Sequence, residues 1–187
     1  MIQCFIAKCN DIKLQRHYSK QLLRYSIKNV FKLEIEDEAI MRNQYGKPSF
    51  KNKEHIKFNI SHCNGLIACA VGLEEMGVDV ENIRSFDDYV VIRVCNMKEI
   101  NDIYSSHDSK RTFFTYWTMK ESLGKALGVG LHYPLRENEF IKNGDGYLCN
   151  YEGLKIKNYE IDNKFILSIC TDKNEEIILR GVNLDGR

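Results

Sequence analysis

Residues 58–81, FNISHCNGLIACAVGLEEMGVDVE, decide the fold class of this chain. Phe58-Asn59-Ile60-Ser61 alternates apolar and polar, as a half-buried strand does. Leu66 to Val71 is a continuous apolar run of strand length. Glu74-Glu75-Met76-Gly77 then reads as a turn, and Val78-Asp79-Val80-Glu81 resumes the alternation. The spacing predicts an antiparallel hairpin over 66–81.

Outward from this block the period changes. Residues 2–8 read as a first strand, whereas Leu22, Leu23, Ile27, Val30 and Phe31 recur at helical spacing from about Tyr18 to Lys32. Asn43 to Pro48 is a loop by its turn residues. Helices are expected at roughly 86–94, 97–105 and 109–127, the last stopped by Gly128 and Gly130. Residues 138–183 read as three or four strands joined by turns at Asn143-Gly144-Asp145-Gly146, Glu152-Gly153 and Asp162-Asn163. Helices and strands mix without βαβ alternation, so the class is α+β.

The bulk composition narrows the function. With 187 residues, 43% hydrophobic and 28% charged, the chain can bury one ordinary core or two small halves. No stretch approaches the roughly 20 apolar residues of a membrane helix. The first eight residues are too soon polar for a secretory signal. The seven cysteines are scattered and include no C-x-x-C, which argues against structural zinc or a redox dithiol. Reduced, buried thiols in a cytoplasmic protein are expected, with neither membrane nor nucleic acid as partner. Net charge is +1 but uneven. Lys8, Lys13, Arg16, Lys20, Arg24 and Lys28 face only Asp11 in the first thirty residues, and Arg42, Lys47, Lys51, Lys53 and Lys57 form a second basic stretch. Such bias suits an anionic small molecule or an acidic protein surface.

Three constellations can carry chemistry. Asp79 and Glu81, two apart on a strand, project from one face, where a hard divalent cation would turn their repulsion into attraction. Two surface acids on a strand edge are the plainer alternative. On the 109–127 helix, Phe113, Tyr116, Trp117, Leu123, Gly124 and Leu127 share a broad apolar face with Lys120 in its middle. An ammonium there needs an anion or a route to water. Glu121 and Lys125 lie on the flank, either as an ordinary surface pair or as a metal ligand and a phosphate neutraliser. Gly124 on the apolar face suggests close approach by another element. Ser61-His62 at a strand end can bind phosphate oxygens, but adjacent strand residues point to opposite faces, which disfavours a catalytic dyad. Gly46-Lys47-Pro48 is a turn without P-loop spacing.

The order of these pieces resembles a known family. Tyr45-Gly46-Lys47-Pro48, Phe58-Asn59-Ile60-Ser61-His62, Gly77-Val78-Asp79-Val80-Glu81 and Phe113-x-x-x-Trp117-x-x-Lys120-Glu121-Ser122-x-x-Lys125-x-x-Gly128-x-Gly130-Leu131 resemble the Sfp-type 4′-phosphopantetheinyl transferases over roughly residues 40–140. The resemblance implies two similar α+β halves, 1–84 and 85–187, related by a pseudo-twofold axis, with coenzyme A and Mg²⁺ in the cleft between them. It implies Asp79, Glu81 and Glu121 as metal ligands, and Lys47, Ser61 and His62 as contacts to the nucleotide's phosphates. Gly46 and Pro48 would shape the adenine pocket, and Lys120 and Lys125 would face the pyrophosphate. The resemblance implies Glu121 as the candidate general base, directly or through a water, and Lys125 as a candidate to protonate or neutralise the departing phosphate. Lys13, Arg16, Lys20 and Arg24 compete for the 3′-phosphate, with Lys20 preferred. The implied partner is an apo acyl or peptidyl carrier protein, served by a monomer. The family's usual Ser-His-Ser is Ser61-His62-Cys63 here. A metal-dependent phosphoesterase or pyrophosphatase, and a non-catalytic coenzyme A or carrier-binding module, remain as alternatives.

Overall fold

The computed structural model describes residues 1–35 and 40–184. Its first sheet joins β1 (Ile2–Cys9), β4 (Lys57–Cys63), β5 (Gly65–Gly72) and β11 (Ile177–Val182) in the order β11-β1-β5-β4. The second joins β6 (Met76–Asn82), β7 (Phe140–Asn143), β8 (Gly146–Cys149), β9 (Leu154–Ile161) and β10 (Phe165–Asp172) in the order β6-β10-β9-β8-β7. A two-stranded ribbon of β2 (Ile40–Arg42) and β3 (Pro48–Phe50) lies between β4 and the first helix, α1 (Gln15–Phe31), in the chain. Helices α2 (Asp88–Val94), α3 (Met97–Ser105) and α4 (Ser109–Leu127) connect β6 to β7.

Strand alternation builds the layers. Ile2 and Cys4 of β1, with Leu66, Ala68 and Ala70 of β5, face Met76, Val78 and Val80 of β6 and Leu167 and Ile169 of β10. The opposite residues of the first sheet, Phe5, Ala7, Ile67, Cys69 and Val71, pack under Leu22, Leu23 and Ile27 of α1. β5 is therefore covered on both faces, which is why its sequence is an unbroken apolar run rather than an alternating one. On the far side of the second sheet, Met119, Leu123 and Ala126 of α4 meet Ile156 and Cys170. Each sheet thus carries one long helix, and the architecture is α+β, as expected.

Two expectations are corrected. β5 and β6 do not form a hairpin: β5 pairs with β1 and β4, while β6 steps to the second sheet and pairs antiparallel with β10, Asp79 opposite Ser168. A turn rich in Glu and Gly serves a step between packed sheets as readily as a hairpin. The strands after residue 138 number five, and the last of them returns to the first sheet, parallel to β1. A division at residue 84 consequently does not separate the sheets, since β6 and β11 each pair with strands from the other side of it.

The contact between the sheets at β4 and β6 is made by side chains. The Val78 N–H donates to Asn59 Oδ1 at 2.9 Å and the Val80 N–H to Ser61 Oγ at 3.3 Å. These two residues of β4 satisfy amide groups on the edge of β6 that no neighbouring strand takes up. Above β6, α4 lies so close that a Cβ on Gly77 would collide with the backbone of Ser122 and Ala126. Gly124 allows a similar approach by the Gly130 carbonyl, which supplies the close neighbour its position suggests.

Candidate active site

The floor of the site is where β4, β6 and α4 meet. Val78 and Val80 turn into the core between the sheets, so Asp79 and Glu81 turn the other way, toward α4. From α4, Lys125 reaches Asp79 Oδ1 at 2.7 Å, Ser61 Oγ at 3.0 Å and the Val78 carbonyl at 3.1 Å. Ser61 also donates to Asp79 Oδ1 at 2.9 Å. One turn before Lys125, Glu121 sits against the same acids. Burial, reinforced by Asp79 and Glu81 and opposed by Lys125, pushes its carboxyl up to about 7. Glu81 is held by Arg84, Nη1 to Oε2 at 2.6 Å, and that guanidinium lies 4.7 Å above the Phe114 ring.

A cleft of about 510 Å³ opens onto this floor. Glu121 and Lys125 form one side; Lys20, Gly46, Lys47, Pro48 and His62 line the rest, so seven of the residues singled out in the sequence share one cavity. Arg16, one turn before Lys20 on α1, and Arg42 at the end of β2 join them, whereas Lys13 and Arg24 do not. The cationic wall and the acidic floor are opposed, an arrangement suited to a polyanion bridged by a hard cation. Ser61 and Asp79 are joined to the lining through Lys125, whereas Glu81 faces a neighbouring pocket with Arg84, Phe113 and Phe114.

Lys47 has a structural engagement the sequence does not reveal. Its ammonium donates to Glu75 at 2.6 Å and to the Ala126 carbonyl in the last turn of α4 at 2.9 Å. The loop before it is organised by Asn43, whose Oδ1 accepts the N–H groups of Tyr45 and Lys47, both at 2.9 Å, and whose Nδ2 donates to the Gly128 carbonyl at 2.8 Å. Gly46 takes φ +89°, where an L side chain is strained. Asn43 and Asn59 thus position the site, and neither stands out in the sequence, since an Asn beside a turn or within a strand carries no distinctive spacing.

Lys120 is not among the residues that line the cleft. It is 0% exposed and pairs with Glu99 of α3, Nζ to Oε1 at 2.9 Å, while donating to the Leu135 carbonyl at 2.7 Å and facing the Phe140 ring. The anion demanded by an ammonium on an apolar helix face is present, but it is a protein carboxylate. Glu99 also accepts from the Asn96 N–H in a capping box that starts α3.

Among the described residues, no three Asp, Glu, His or Cys side chains converge as a ready metal cage. The acids are close, but Lys125 occupies Asp79 and Arg84 occupies Glu81. The residues nevertheless fit a hard cation. Asp79 Oδ2 is buried without a hydrogen-bond partner, an oxygen that a divalent ion would satisfy. The thiol beside His62 does not compete for a nucleophile's role, because burial pushes Cys63 up to about 12. All seven cysteines are free, and no helix among the described residues is long and apolar enough to cross a membrane.

Opposed acids and cations around one cleft suit the handling of a phosphorylated anion. Comparison with known proteins then identifies the family. The model of the 4′-phosphopantetheinyl transferase superfamily matches residues 75–176, more than half of the chain and the whole of β6 through α4. The chain is 27% identical over 183 residues to the 4′-phosphopantetheinyl transferase Sfp of Bacillus subtilis (strain 168), covering 89% of this chain and 82% of that protein. It is 31% identical over 124 residues to the 4′-phosphopantetheinyl transferase gsp of Aneurinibacillus migulanus, covering 65% and 52%. To the L-aminoadipate-semialdehyde dehydrogenase-phosphopantetheinyl transferase of Candida glabrata it is 33% identical over 119 residues, covering 56% and 45%. The chain belongs to the 4′-phosphopantetheinyl transferase superfamily and is an enzyme of the Sfp type.

Proposed function

We propose that this enzyme transfers the 4′-phosphopantetheine group of coenzyme A to a serine hydroxyl of an apo acyl or peptidyl carrier protein and releases 3′,5′-ADP. The observation that carries the reading is the meeting of Glu121 and Lys125 with Asp79 and Ser61 at the floor of a cleft walled by Arg16, Lys20, Arg42 and His62. The basic wall receives the nucleotide's phosphates, with Lys20 and Arg16 the candidates for the 3′-phosphate. Gly46, Lys47 and Pro48 hold the loop against the base, Lys47 through its anchorage to α4. Mg²⁺, held by Asp79, Glu81 and Glu121, would supply neutralisation of the diphosphate.

The chemistry asked of the side chains is positioning and charge compensation. The serine hydroxyl attacks the β-phosphorus; its proton passes to Glu121, directly or through a water, and the bond from that phosphorus to the bridging oxygen breaks, so that 3′,5′-ADP leaves with the α-phosphate. Lys125 would neutralise the charge that the bridging oxygen gains as the bond breaks. A carboxyl held near 7 in the cation-free site is matched to proton transfer at neutral pH, although a bound cation would lower it. Both walls of the cleft come from one chain, which supports a monomer, and seven free thiols suit the reducing cytoplasm.

The test is incubation with Mg²⁺, coenzyme A and an apo carrier protein, read by mass spectrometry. The expected result is a carrier heavier by one phosphopantetheine, lost on chelation and slowed at least about 100-fold in Asp79→Ala. Free phosphopantetheine with an unmodified carrier would establish a hydrolase instead.

A further inference from the structure

Lys125 spends its ammonium wholly within the protein. Its partners are Asp79 Oδ1, Ser61 Oγ and the Val78 carbonyl, at 2.7, 3.0 and 3.1 Å. Asp79 is 5% exposed, and without Lys125 its charge would be buried with only the Ser61 hydroxyl to compensate it. Two residues further along β6, Glu81 has a protein cation of its own in Arg84, which is braced by the Phe114 ring. Each acid of the strand is therefore neutralised internally. A divalent cation arriving alone would meet a resident positive charge hydrogen-bonded to its first ligand, and like charges at that separation repel strongly away from water. Lys125 has somewhere to go: it lines the cleft, and its side chain is 26% exposed.

We propose that Lys125 is the resident counter-ion of Asp79 and makes cation uptake conditional on the diphosphate ligand, its ammonium leaving the carboxylate only when an anion in the cleft receives it. The inference rests on the transferase reading for the identity of that anion. Its consequence is synergy. Coenzyme A raises the affinity for the cation by vacating Asp79, and by linkage the cation raises the affinity for coenzyme A by the same factor. The same lysine serves as placeholder before binding and phosphate partner after it.

The probe is Mn²⁺, titrated into the whole protein and followed by loss of the free-ion electron paramagnetic resonance signal, with and without coenzyme A and with no carrier present. In the unsubstituted protein, coenzyme A is expected to tighten Mn²⁺ binding by about tenfold or more, the scale of one buried charge-assisted hydrogen bond. Lys125→Met, which keeps the apolar stem and removes the charge, is expected to bind Mn²⁺ alone more tightly by a similar factor and to lose most of the coenzyme-dependent gain. Lys125→Gln serves as a second variant should the first fold poorly. Mn²⁺ affinity that is unchanged or weaker in a folded variant, or indifferent to coenzyme A in the unsubstituted protein, overturns the proposal. Since the titrations need no carrier, these results are separable from transfer: an unmodified carrier would sink the transferase reading and not the exchange at Asp79.

Discussion

Glu121 shows how a site residue trades stability for chemistry. Its carboxyl is raised to about 7 in the folded chain from an ordinary value of 4.5, by burial first and then by Asp79 and Glu81. Between those two values the unfolded chain has released a proton that the folded chain keeps, so folding free energy falls as pH rises through that window. The loss is on the order of 3 kcal/mol, at about 1.4 kcal/mol per pKa unit. Urea denaturation in chelator at pH 5 and pH 8 should show this decline, and Glu121→Gln should largely abolish it; parallel pH dependence in the two proteins would count against the burial effect. Lys120 makes the complementary case. Its partner Glu99 is as buried as it is, so Lys120→Ala should cost about 3–5 kcal/mol by stranding a carboxylate, whereas Lys120→Met with Glu99→Gln should recover most of that. Sequence periodicity alone establishes that Lys120 needs an anion or a route to water. It does not say which one, because Glu99 lies on another helix and the docking of α3 on α4 has no local signature. Glu121 and Lys125 were legible because they share one helix flank with fixed spacing.

At the scale of elements, what fixes the acids is the seam between β4 and β6. Asn59 and Ser61 stand in for a missing strand by taking the Val78 and Val80 amides, and Gly77 lets α4 descend onto β6, where Lys125 reaches Asp79. Asn59→Ala should therefore leave the Val78 N–H buried and unpaired, costing about 1–3 kcal/mol in denaturant unfolding. Transfer should slow as well, since β6 loses its alignment to α4. A variant as stable as the unsubstituted protein would show that another group takes up that amide. The strands and the long helices were readable from their periods, and α4 ends where Gly128 adopts φ +74°. The partner of β6 was not. An alternating strand after a Glu-Gly turn reads the same whether it folds back on its predecessor or crosses to a second sheet. The choice is made by β10, some ninety residues later, and by two polar side chains whose role depends on a contact distant in the chain.

For the whole molecule, the exchange of strands makes the halves interdependent. β11, from the end of the described chain, closes the edge of the first sheet beside β1, and β6, from the first half, closes the edge of the second beside β10. Neither sheet is complete without residues from both sides of position 84, and the apolar layer between the sheets draws on both. An isolated 1–84 fragment would present β6 as an unpaired edge and uncover Leu66, Ala68 and Ala70, so it should aggregate or remain unfolded rather than bind nucleotide. The intact chain should instead unfold in one transition. Trp117, the single tryptophan, sits on α4 in the second half, while far-UV circular dichroism reports on both sheets and α1. Urea curves from the two probes should superimpose, with one midpoint. A tryptophan transition displaced from the dichroism curve would mean that the second half can open while the first stays folded. The acidic floor, built from β4, β6 and α4 together, would then lose its geometry well before the protein as a whole unfolds.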